Sequence, residues 1–195
     1  QFECQIKVTD IKPIFDLNKP VKRLKKINPQ PQMTLGEHRD EDFLEADVIV
    51  YSESVNPNLP QLVKAREHGR EVYSEFAFAY KHCDKPVIAV CGSKGRTTIA
   101  HMIGYSLKMD QKNVFVGGTS QEPFCNLLIH PNKDFMDYVV VEVSPLQLQS
   151  LDGFSPVLAV YPNIEERTID GRFNTAGEYI ENSLKVLRNL SPESY

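Results

Sequence analysis

The stretch IAVCGSKGRTTIAHMIG, residues 88–104, constrains the fold more than any other part of the chain. A short apolar run leads into two glycines and then into a segment with helical spacing, which predicts a buried strand, a loop and a helix. Gly92 and Gly95 permit backbone angles that turn successive N–H groups toward an anion. In a parallel α/β sheet such a loop lies at the carboxyl edge, where ligands usually bind. The stretch therefore indicates an α/β domain with a phosphate-binding loop.

The loop departs from the GxxxxGK[ST] pattern of phosphate-binding loops at two positions. Val90 stands where the first glycine belongs, and Arg96 replaces the lysine. Arginine keeps the positive charge and offers a fork of donors for phosphate oxygens, but it is planar and bulkier than lysine. Thr97 stands where a hydroxyl reaches a nucleotide-bound magnesium ion. A tight strand-to-helix turn that binds nothing is the alternative interpretation.

The composition is that of a soluble globular protein with one domain or two small ones. The chain has 195 residues, 41% hydrophobic residues and a formal net charge of −4, so we expect no nucleic-acid partner. No apolar stretch is long enough to span a bilayer and no signal peptide opens the chain, so we expect no membrane partner and a cytoplasmic location. A basic run at 19–26 is interpreted as the solvated face of a helix, with a binding patch as the alternative.

The cysteines and histidines indicate neither a disulfide framework nor a zinc site. The chain has four cysteines and five histidines, all scattered, with no CxxC pair and no metal-ligand spacing. We therefore expect reduced thiols, as in a cytoplasmic protein. The cysteines are Cys4, Cys83, Cys91 and Cys125.

Strand and helix patterns alternate along the chain, which predicts parallel-sheet α/β architecture in two domains. The run YVVVEV, nearly continuous in β-branched residues, is typical of a parallel strand covered on both faces. The pattern restarts near 83–86, where we place the domain boundary. The predicted strands are 5–10, 32–36, 47–52, 72–74, 87–91, 114–116, 138–143 and 158–161. The predicted helices are 18–27, 40–46, 59–69, 75–83, the one that follows the loop, and a last one that begins near 175.

Two of these helices carry recognisable start signals. Asn18 is a candidate cap for the first helix. Thr175 and Glu178 fit a capping box for the last helix. The spacing then predicts that Ile180, Leu184 and Leu187 share one apolar face of that helix.

Four segments in order give the chain its resemblance to a known family. These segments are VYSEFAFAY, KPVIAVCGSKGRTT, YVVVEVSPLQLQSL and LAVYPNIEERTID. Together they resemble the Mur ligases, most closely the members that add D-glutamate to UDP-N-acetylmuramoyl-L-alanine. The similarity runs from about Ile6 to Leu190.

The resemblance implies a two-domain α/β fold. Residues 1–84 would form a Rossmann-like N-terminal domain for the UDP substrate, without the family's first strand. Residues 85–195 would form a truncated central ATP-binding domain with a parallel sheet of the P-loop type. The family's C-terminal domain has no counterpart, so we expect a fragment or a naturally reduced member that is inactive by itself.

The resemblance also implies ATP-dependent amide-bond formation, the D-glutamate-adding step of peptidoglycan precursor synthesis, with ATP and Mg²⁺ as cofactors. The residues implied for ATP are Gly92, Ser93, Lys94, Gly95, Arg96, Thr97 and Thr98. Catalytic roles fall on Arg96 and Glu142, and metal ligation falls on Thr97 and Glu142. Glu142 also has an independent argument, because a carboxylate inside an apolar strand requires a charged partner; a strand-end glutamate in water is its alternative.

Substrate contacts with UDP-N-acetylmuramoyl-L-alanine are implied for Asp10, Ser52 and Thr119. For Asp10, capping of the following loop is an equally good interpretation. Thr119 is also a departure, since the family has asparagine there.

Further departures remove parts of the family's second metal site. Thr168 replaces a metal-binding histidine, Arg167 replaces an aspartate, and Ser183 replaces a lysine that becomes carbamylated. A positive charge at Arg167 repels cations, so we do not expect a two-metal mechanism. The alternative function is therefore a non-catalytic, nucleotide- or UDP-sugar-binding relative with a scaffold or regulatory role. A folate-chain glutamate ligase is a weaker third interpretation.

Overall fold

The computed structural model describes residues 4–165 and 173–190. The strands are β1 (Lys7–Asp10), β2 (Gln32–Leu35), β3 (Val48–Tyr51), β4 (Glu71–Ser74), β5 (Val87–Val90), β6 (Val114–Gly117), β7 (Tyr138–Glu142) and β8 (Leu158–Val160). The α-helices are α1 (Asn18–Leu24), α2 (Asp40–Leu44), α3 (Pro60–Glu67), α4 (Glu75–Lys81), α5 (Arg96–Met109), α6 (Pro145–Gln149) and α7 (Ala176–Ser183). Short 3₁₀ helices lie at Phe124–Ile129, Lys133–Phe135 and Lys185–Arg188. Within these described residues, no helix has the length and apolar character that crossing a membrane requires.

The chain forms two compact units. The first contains the residues up to Ile49 together with Val55–Val72, and the second contains Val50–Ser54 and the chain from Tyr73 onward. The boundary expected near 83–86 differs from this division, because α4 packs on the 3₁₀ helix Phe124–Ile129 inside the second unit. The substrate and nucleotide roles expected for residues 1–84 and 85–195 remain predictions.

The first unit is built on the parallel pair β1–β2, in which Lys7 lies opposite Gln32. Helices α2 and α3 pack against each other, and the residues they bury include Phe43 and Leu62. The Lys7 ammonium lies 2.8 Å from the Asp42 carboxylate, and its hydrogen bond lowers the pKa of Asp42. Strands β3 and β4 pair separately, so the described strands before residue 75 form two two-stranded sheets rather than one continuous sheet.

The second unit contains a four-stranded parallel sheet in the order β6-β7-β5-β8. The valines of β7 are fully buried, as expected for a parallel strand covered on both faces. The mixed α/β fold with parallel sheets predicted from the sequence is confirmed.

Side-chain alternation divides the core of this sheet between two faces. On one face, Ile88, Val90 and Val140 pack with Ala100 of α5. The opposite face forms the larger cluster, in which the Phe76 ring contacts those of Phe124 and Phe154 at centroid distances of 4.9 and 5.7 Å. Position 142 falls on the α5 face, two residues after Val140.

Two helix signals were only partly correct. Asn18 is the first residue of α1 rather than its cap, and its side-chain amide donates to the Phe15 carbonyl. Thr175 does cap α7, accepting from the Glu178 N–H at 3.1 Å, but the Glu178 carboxylate accepts from the N–H of Asn174. The capping box is therefore incomplete.

The apolar face predicted for the last helix is also wrong in part. The α-helix ends at Ser183 and the chain continues as a 3₁₀ helix, which has fewer residues per turn. This change of period buries Val186 and leaves Leu187 47% exposed.

The aromatic cluster provides a test of this core. Phe76→Ala removes a fully buried ring that contacts two others, so we expect a loss of about 3–5 kcal/mol in the free energy of unfolding, measured by urea denaturation. Phe135→Ala, at an exposed position, is the control and should change it by no more than about 0.5 kcal/mol. Equal losses in the two variants would contradict the assignment of this core.

Candidate functional site

The candidate site lies at the carboxyl edge of the four-stranded sheet, where β5 passes into the loop Cys91–Gly95, called here the glycine loop. Val90, the last residue of β5, is in register with Glu142, the last residue of β7. The Val143 N–H donates to the Val90 carbonyl at 2.9 Å and continues this pairing. The register therefore brings Glu142 beside the start of the glycine loop.

Glu142 is directed toward α5 and lies in an apolar environment. Its residue exposure is only 7%, and its Oε2 accepts a hydrogen bond from the Thr97 hydroxyl at 2.9 Å. Its other oxygen, Oε1, is buried and has no hydrogen-bond partner among the described residues. A buried carboxylate oxygen without a partner carries a large desolvation penalty, so this atom marks a position where a cation or donor belongs.

The start of α5 offers unpaired backbone donors at the same place. Gly95 precedes the helix in the left-handed region, with φ 78°, and its carbonyl accepts from the N–H of Ile99. The N–H groups of residues 95–98 have no acceptor within the described parts of the chain. Such a turn of free amides at a helix start binds anions.

Two other loop amides are already occupied by Asn163, which follows β8. The Asn163 carbonyl accepts from the N–H of Ser93 at 3.3 Å. Its side chain accepts from the Lys94 N–H and donates to the Lys94 carbonyl, both at 3.0 Å. A Cβ on Gly92 would lie 2.5 Å from the Asn163 carbonyl oxygen, so glycine is required for this approach. Asn163 therefore fixes the middle of the glycine loop and leaves its end open.

Lys94 in the glycine loop and Arg96 at the start of α5 are cations with different partners. The Arg96 guanidinium donates to the Gly92 carbonyl across the loop. The Lys94 ammonium pairs with Glu165 at 2.9 Å and is largely exposed. Arg96 is thus held across the start of α5, where the open amides lie, and Thr98 contributes its backbone N–H at the first turn of the helix.

Partly buried hydrogen bonds connect α7 to the glycine loop and to the residue after β8. The hydroxyls of Ser93 and Tyr179 are 2.8 Å apart, and the Ser183 hydroxyl donates to the Tyr179 carbonyl at 2.7 Å. The Tyr161 hydroxyl donates to the Ser183 carbonyl. Burial raises the pKa of the Cys91 thiol to about 11, and burial also raises the pKa of Tyr161.

This network bears on the departures found in the sequence. The Ser183 side chain is buried and hydrogen-bonded within its own helix. Its hydroxyl therefore fills a structural role where the resemblance implied a metal-supporting lysine. Arg167 and Thr168 lie outside the described residues.

Thr119 lies in the turn that follows β6. Its hydroxyl and its N–H both bond to the backbone of Glu122, which closes the turn. Gly118 in that turn has φ +92°, and a Cβ there would lie 2.4 Å from the Glu142 carbonyl oxygen. The Gln147 side chain donates to the Gly118 carbonyl at 3.4 Å. The turn thus packs directly against the backbone of Glu142.

The remaining two predicted substrate residues are satisfied locally. Asp10, in the first unit, accepts from the Lys12 N–H at 2.8 Å and so caps the loop after β1, as its alternative interpretation stated. The Ser52 and Ser54 hydroxyls are 2.6 Å apart. The structure brings residues 92–98 together with Glu142, and places Thr119 in the turn next to Glu142.

Sequence reasoning missed Asn163 and Tyr179. Asn163 lies two residues after a predicted strand of the same sheet, a position that brings polar side chains to the carboxyl edge. That signal was present but was not used. Tyr179 had no comparable signal, because its contact with Ser93 joins positions 86 residues apart in the chain.

The chain is similar to known proteins over most of its length. The family model described as the Mur ligase middle domain matches residues 90–195. The UDP-N-acetylmuramoylalanine--D-glutamate ligase of Geobacter metallireducens is 32% identical over 192 residues, covering 98% of this chain and 41% of that protein. The protein of the same name from Desulfosudis oleivorans is 36% identical over 157 residues, covering 80% of this chain and 34% of its own length.

Among solved structures, a pseudomurein peptide ligase type C from Methanothermus fervidus covers 95% of this chain and 38% of its own, with a TM-score of 0.43 and 22% identity. This chain therefore spans well under half the length of the relatives it matches.

The close approach of Gly118 to Glu142 gives a test of the site's geometry. Gly118→Ala places a methyl group against the Glu142 backbone at a positive φ, so we expect a loss of about 3 kcal/mol in the free energy of unfolding. Gly153→Ala, at φ +72° with nothing within 4 Å of the added Cβ, is the matched control and should lose only about 1 kcal/mol. Both free energies of unfolding are measured by urea denaturation. Equal losses in the two variants would contradict the close packing of Gly118 against the Glu142 backbone.

Proposed function

Because the chain belongs to the Mur ligase family, we propose that the glycine loop, the start of α5 and Glu142 bind the phosphates of ATP and its Mg²⁺. The reaction they serve is ATP-dependent amide-bond formation on a UDP-muramoyl precursor of peptidoglycan, in the cytoplasm. The observation that carries this proposal is the buried Oε1 of Glu142, which has no hydrogen-bond partner among the described residues. The other oxygen of this carboxylate, Oε2, accepts a hydrogen bond from the Thr97 hydroxyl at 2.9 Å.

The residues present fit a magnesium ion. Mg²⁺ is usually held by one or two protein oxygens, with substrate phosphates and water completing its octahedron. Glu142 and Thr97 offer a carboxylate and a hydroxyl in that manner, and no group of three or more His, Cys, Asp or Glu side chains suited to a metal occurs in the described ranges. When bound, the ion neutralises phosphate charge and orients the phosphoryl group for transfer.

The chain's own groups account for the rest of phosphate binding. The free N–H groups of residues 95–98 supply directional donors and the positive end of the α5 dipole. Arg96 supplies the mobile charge, because its bond to the Gly92 carbonyl can be exchanged for phosphate oxygens. Ser93 and Lys94, held by Asn163, keep the loop in shape while this exchange occurs.

The substrate is proposed from the relatives. Several of them are named as D-glutamate ligases acting on UDP-N-acetylmuramoylalanine. We assign contacts with such a substrate to Asp10, which ends β1, and to Ser52 and Thr119, which lie in the turns after β3 and β6. Those relatives are more than twice as long as the part of them that this chain matches.

A second candidate function is a nucleotide-binding member of the family that has lost catalysis. The observation that favours it is the buried Ser183 side chain, whose hydroxyl is bonded within α7 and offers nothing to a second metal. Both candidates require Mg²⁺–ATP binding, and they separate on turnover. The two candidates are distinguished in the whole protein that contains this chain. There, ADP release that depends on UDP-N-acetylmuramoyl-L-alanine and D-glutamate supports the ligase, whereas ATP binding without turnover supports the second candidate.

Glu142→Gln provides the test of the shared site. We expect the variant to bind Mg²⁺–ATP at least about tenfold more weakly in calorimetry, because a neutral amide cannot ligate the cation as a carboxylate does. In metal-free buffer its free energy of unfolding should be unchanged or higher, because a buried unpaired charge has been removed. Glu67→Gln, an exposed carboxylate on α3, is the control and should alter neither quantity.

Mg²⁺–ATP affinity and the free energy of unfolding together show whether Glu142 binds a metal or only stabilises the fold. A Glu142→Gln variant that loses stability but keeps its Mg²⁺–ATP affinity would refute the proposal. So would a parent chain that binds no ATP with or without Mg²⁺.

A further inference from the structure

Residues 11–27, called here the basic segment, form the most strongly charged surface of the first unit. The segment carries one carboxylate, Asp16, in a chain whose overall net charge is −4. Its six cations are Lys12, Lys19, Lys22, Arg23, Lys25 and Lys26. None of the six forms an ion pair within the described ranges. Ion pairs among the described residues therefore do not neutralise the positive charge of the basic segment.

The geometry of α1 directs three of these cations away from the buried face of the helix. Val21 is buried, which fixes the inner face of the helix. At 100° per residue, positions 19 and 23 fall on the side opposite Val21, and position 22 falls on the flank of that side. Lys25 and Lys26 lie in the turn after α1, and all five of these side chains are exposed. An ordinary solvated helix face also carries exposed cations of this kind. Charge alone therefore does not distinguish a binding surface from a solvated face.

Large exposed apolar side chains at both ends of α1 favour a binding surface over a solvated face. Ile11 is 69% and Phe15 is 72% exposed in the turn before α1, and Ile14 is exposed beside them. Ile27 is exposed just after the helix. Solvent does not favour such residues, and their clustering next to unpaired cations is typical of a surface that meets an interface with both apolar and anionic character.

We propose that the basic segment docks the protein peripherally on a bilayer surface that contains anionic lipids. Lysine and arginine side chains are attracted to the negative surface potential of such a bilayer, and isoleucine and phenylalanine insert shallowly at the headgroup boundary. A nucleic acid matches the cations but offers nothing to Ile11, Ile14 and Ile27, which have no flat π-face for stacking on bases. The aliphatic side chains therefore favour lipid over nucleic acid.

This inference is independent of the nucleotide site. It concerns the first unit, whereas the glycine loop and Glu142 belong to the second. It takes up the alternative interpretation of the basic run at 19–26, a binding patch, and departs from the expectation of no membrane partner.

Vesicle sedimentation with the full chain tests the proposal. The probes are vesicles of phosphatidylcholine alone and of phosphatidylcholine mixed with phosphatidylglycerol. We expect binding only to the mixed vesicles, weakening as salt is added. The double variant Lys22→Gln/Lys26→Gln should lower the partition coefficient at least about tenfold. Phe15→Ser should also weaken binding while leaving its salt dependence unchanged, because no charge is removed.

The control is Lys108→Gln/Lys112→Gln on α5 and its following turn, which removes the same charge beside the exposed Met102 and Tyr105. It should bind like the parent chain. The proposal is overturned if the parent binds no vesicle, if it binds phosphatidylcholine alone equally well, or if this control loses as much binding as the segment variant. Displacement from the vesicles by duplex DNA, with DNA binding lost in the Lys22→Gln/Lys26→Gln variant, would assign the surface to nucleic acid instead.

Discussion

The carboxylate of Glu142 is the constraint around which the second unit's sheet edge is arranged. A strand of fully buried valines ends in an acidic residue, and side-chain alternation directs that residue toward α5. One oxygen meets the Thr97 hydroxyl, and the other has no partner in the described chain. The free amides at residues 95–98 lie at the start of the same helix. The buried, unpaired acceptor is unfavourable in the free protein, and it gains a partner when a cation arrives together with an anion that the exposed amides bind.

The loop that carries these donors is fixed by contacts outside it. Asn163 binds the middle of the loop through its carbonyl and its side-chain amide, and Tyr179 meets the Ser93 hydroxyl from α7. Only the end of the loop, where Arg96 reaches back to Gly92, keeps contacts that a ligand can replace. Fixing the backbone beforehand lowers the ordering cost of binding. Arginine in place of lysine at position 96 is therefore compatible with phosphate binding. Phosphoryl transfer places a stricter demand on the position of this charge than binding does.

Residue type and local spacing made much of this architecture predictable. The apolar runs located β5 and β7, the glycines located the loop, and the buried position of Glu142 followed from an acidic residue inside β-branched neighbours. The position of Asn163 after a predicted strand indicated that it lies at the carboxyl edge, but its contact with the glycine loop depends on β8 lying beside β5, which is a matter of sheet order rather than local sequence. The face of the last helix was misassigned because a change from α to 3₁₀ period after Ser183 replaced Leu187 with Val186 in the core. Periodicity can be read only while the period is constant.

Backbone amide chemical shifts of the isotopically labelled chain, titrated with a non-hydrolysable ATP analogue, test the central claim most directly. We expect the largest changes at Gly95, Arg96, Thr97 and Thr98, because their N–H groups would gain phosphate acceptors. The changes should deepen when Mg²⁺ is added and extend to Glu142. Ser93 and Lys94, already bonded to Asn163, should shift less. Unchanged resonances at the start of α5, or changes there that do not respond to Mg²⁺, would contradict the account.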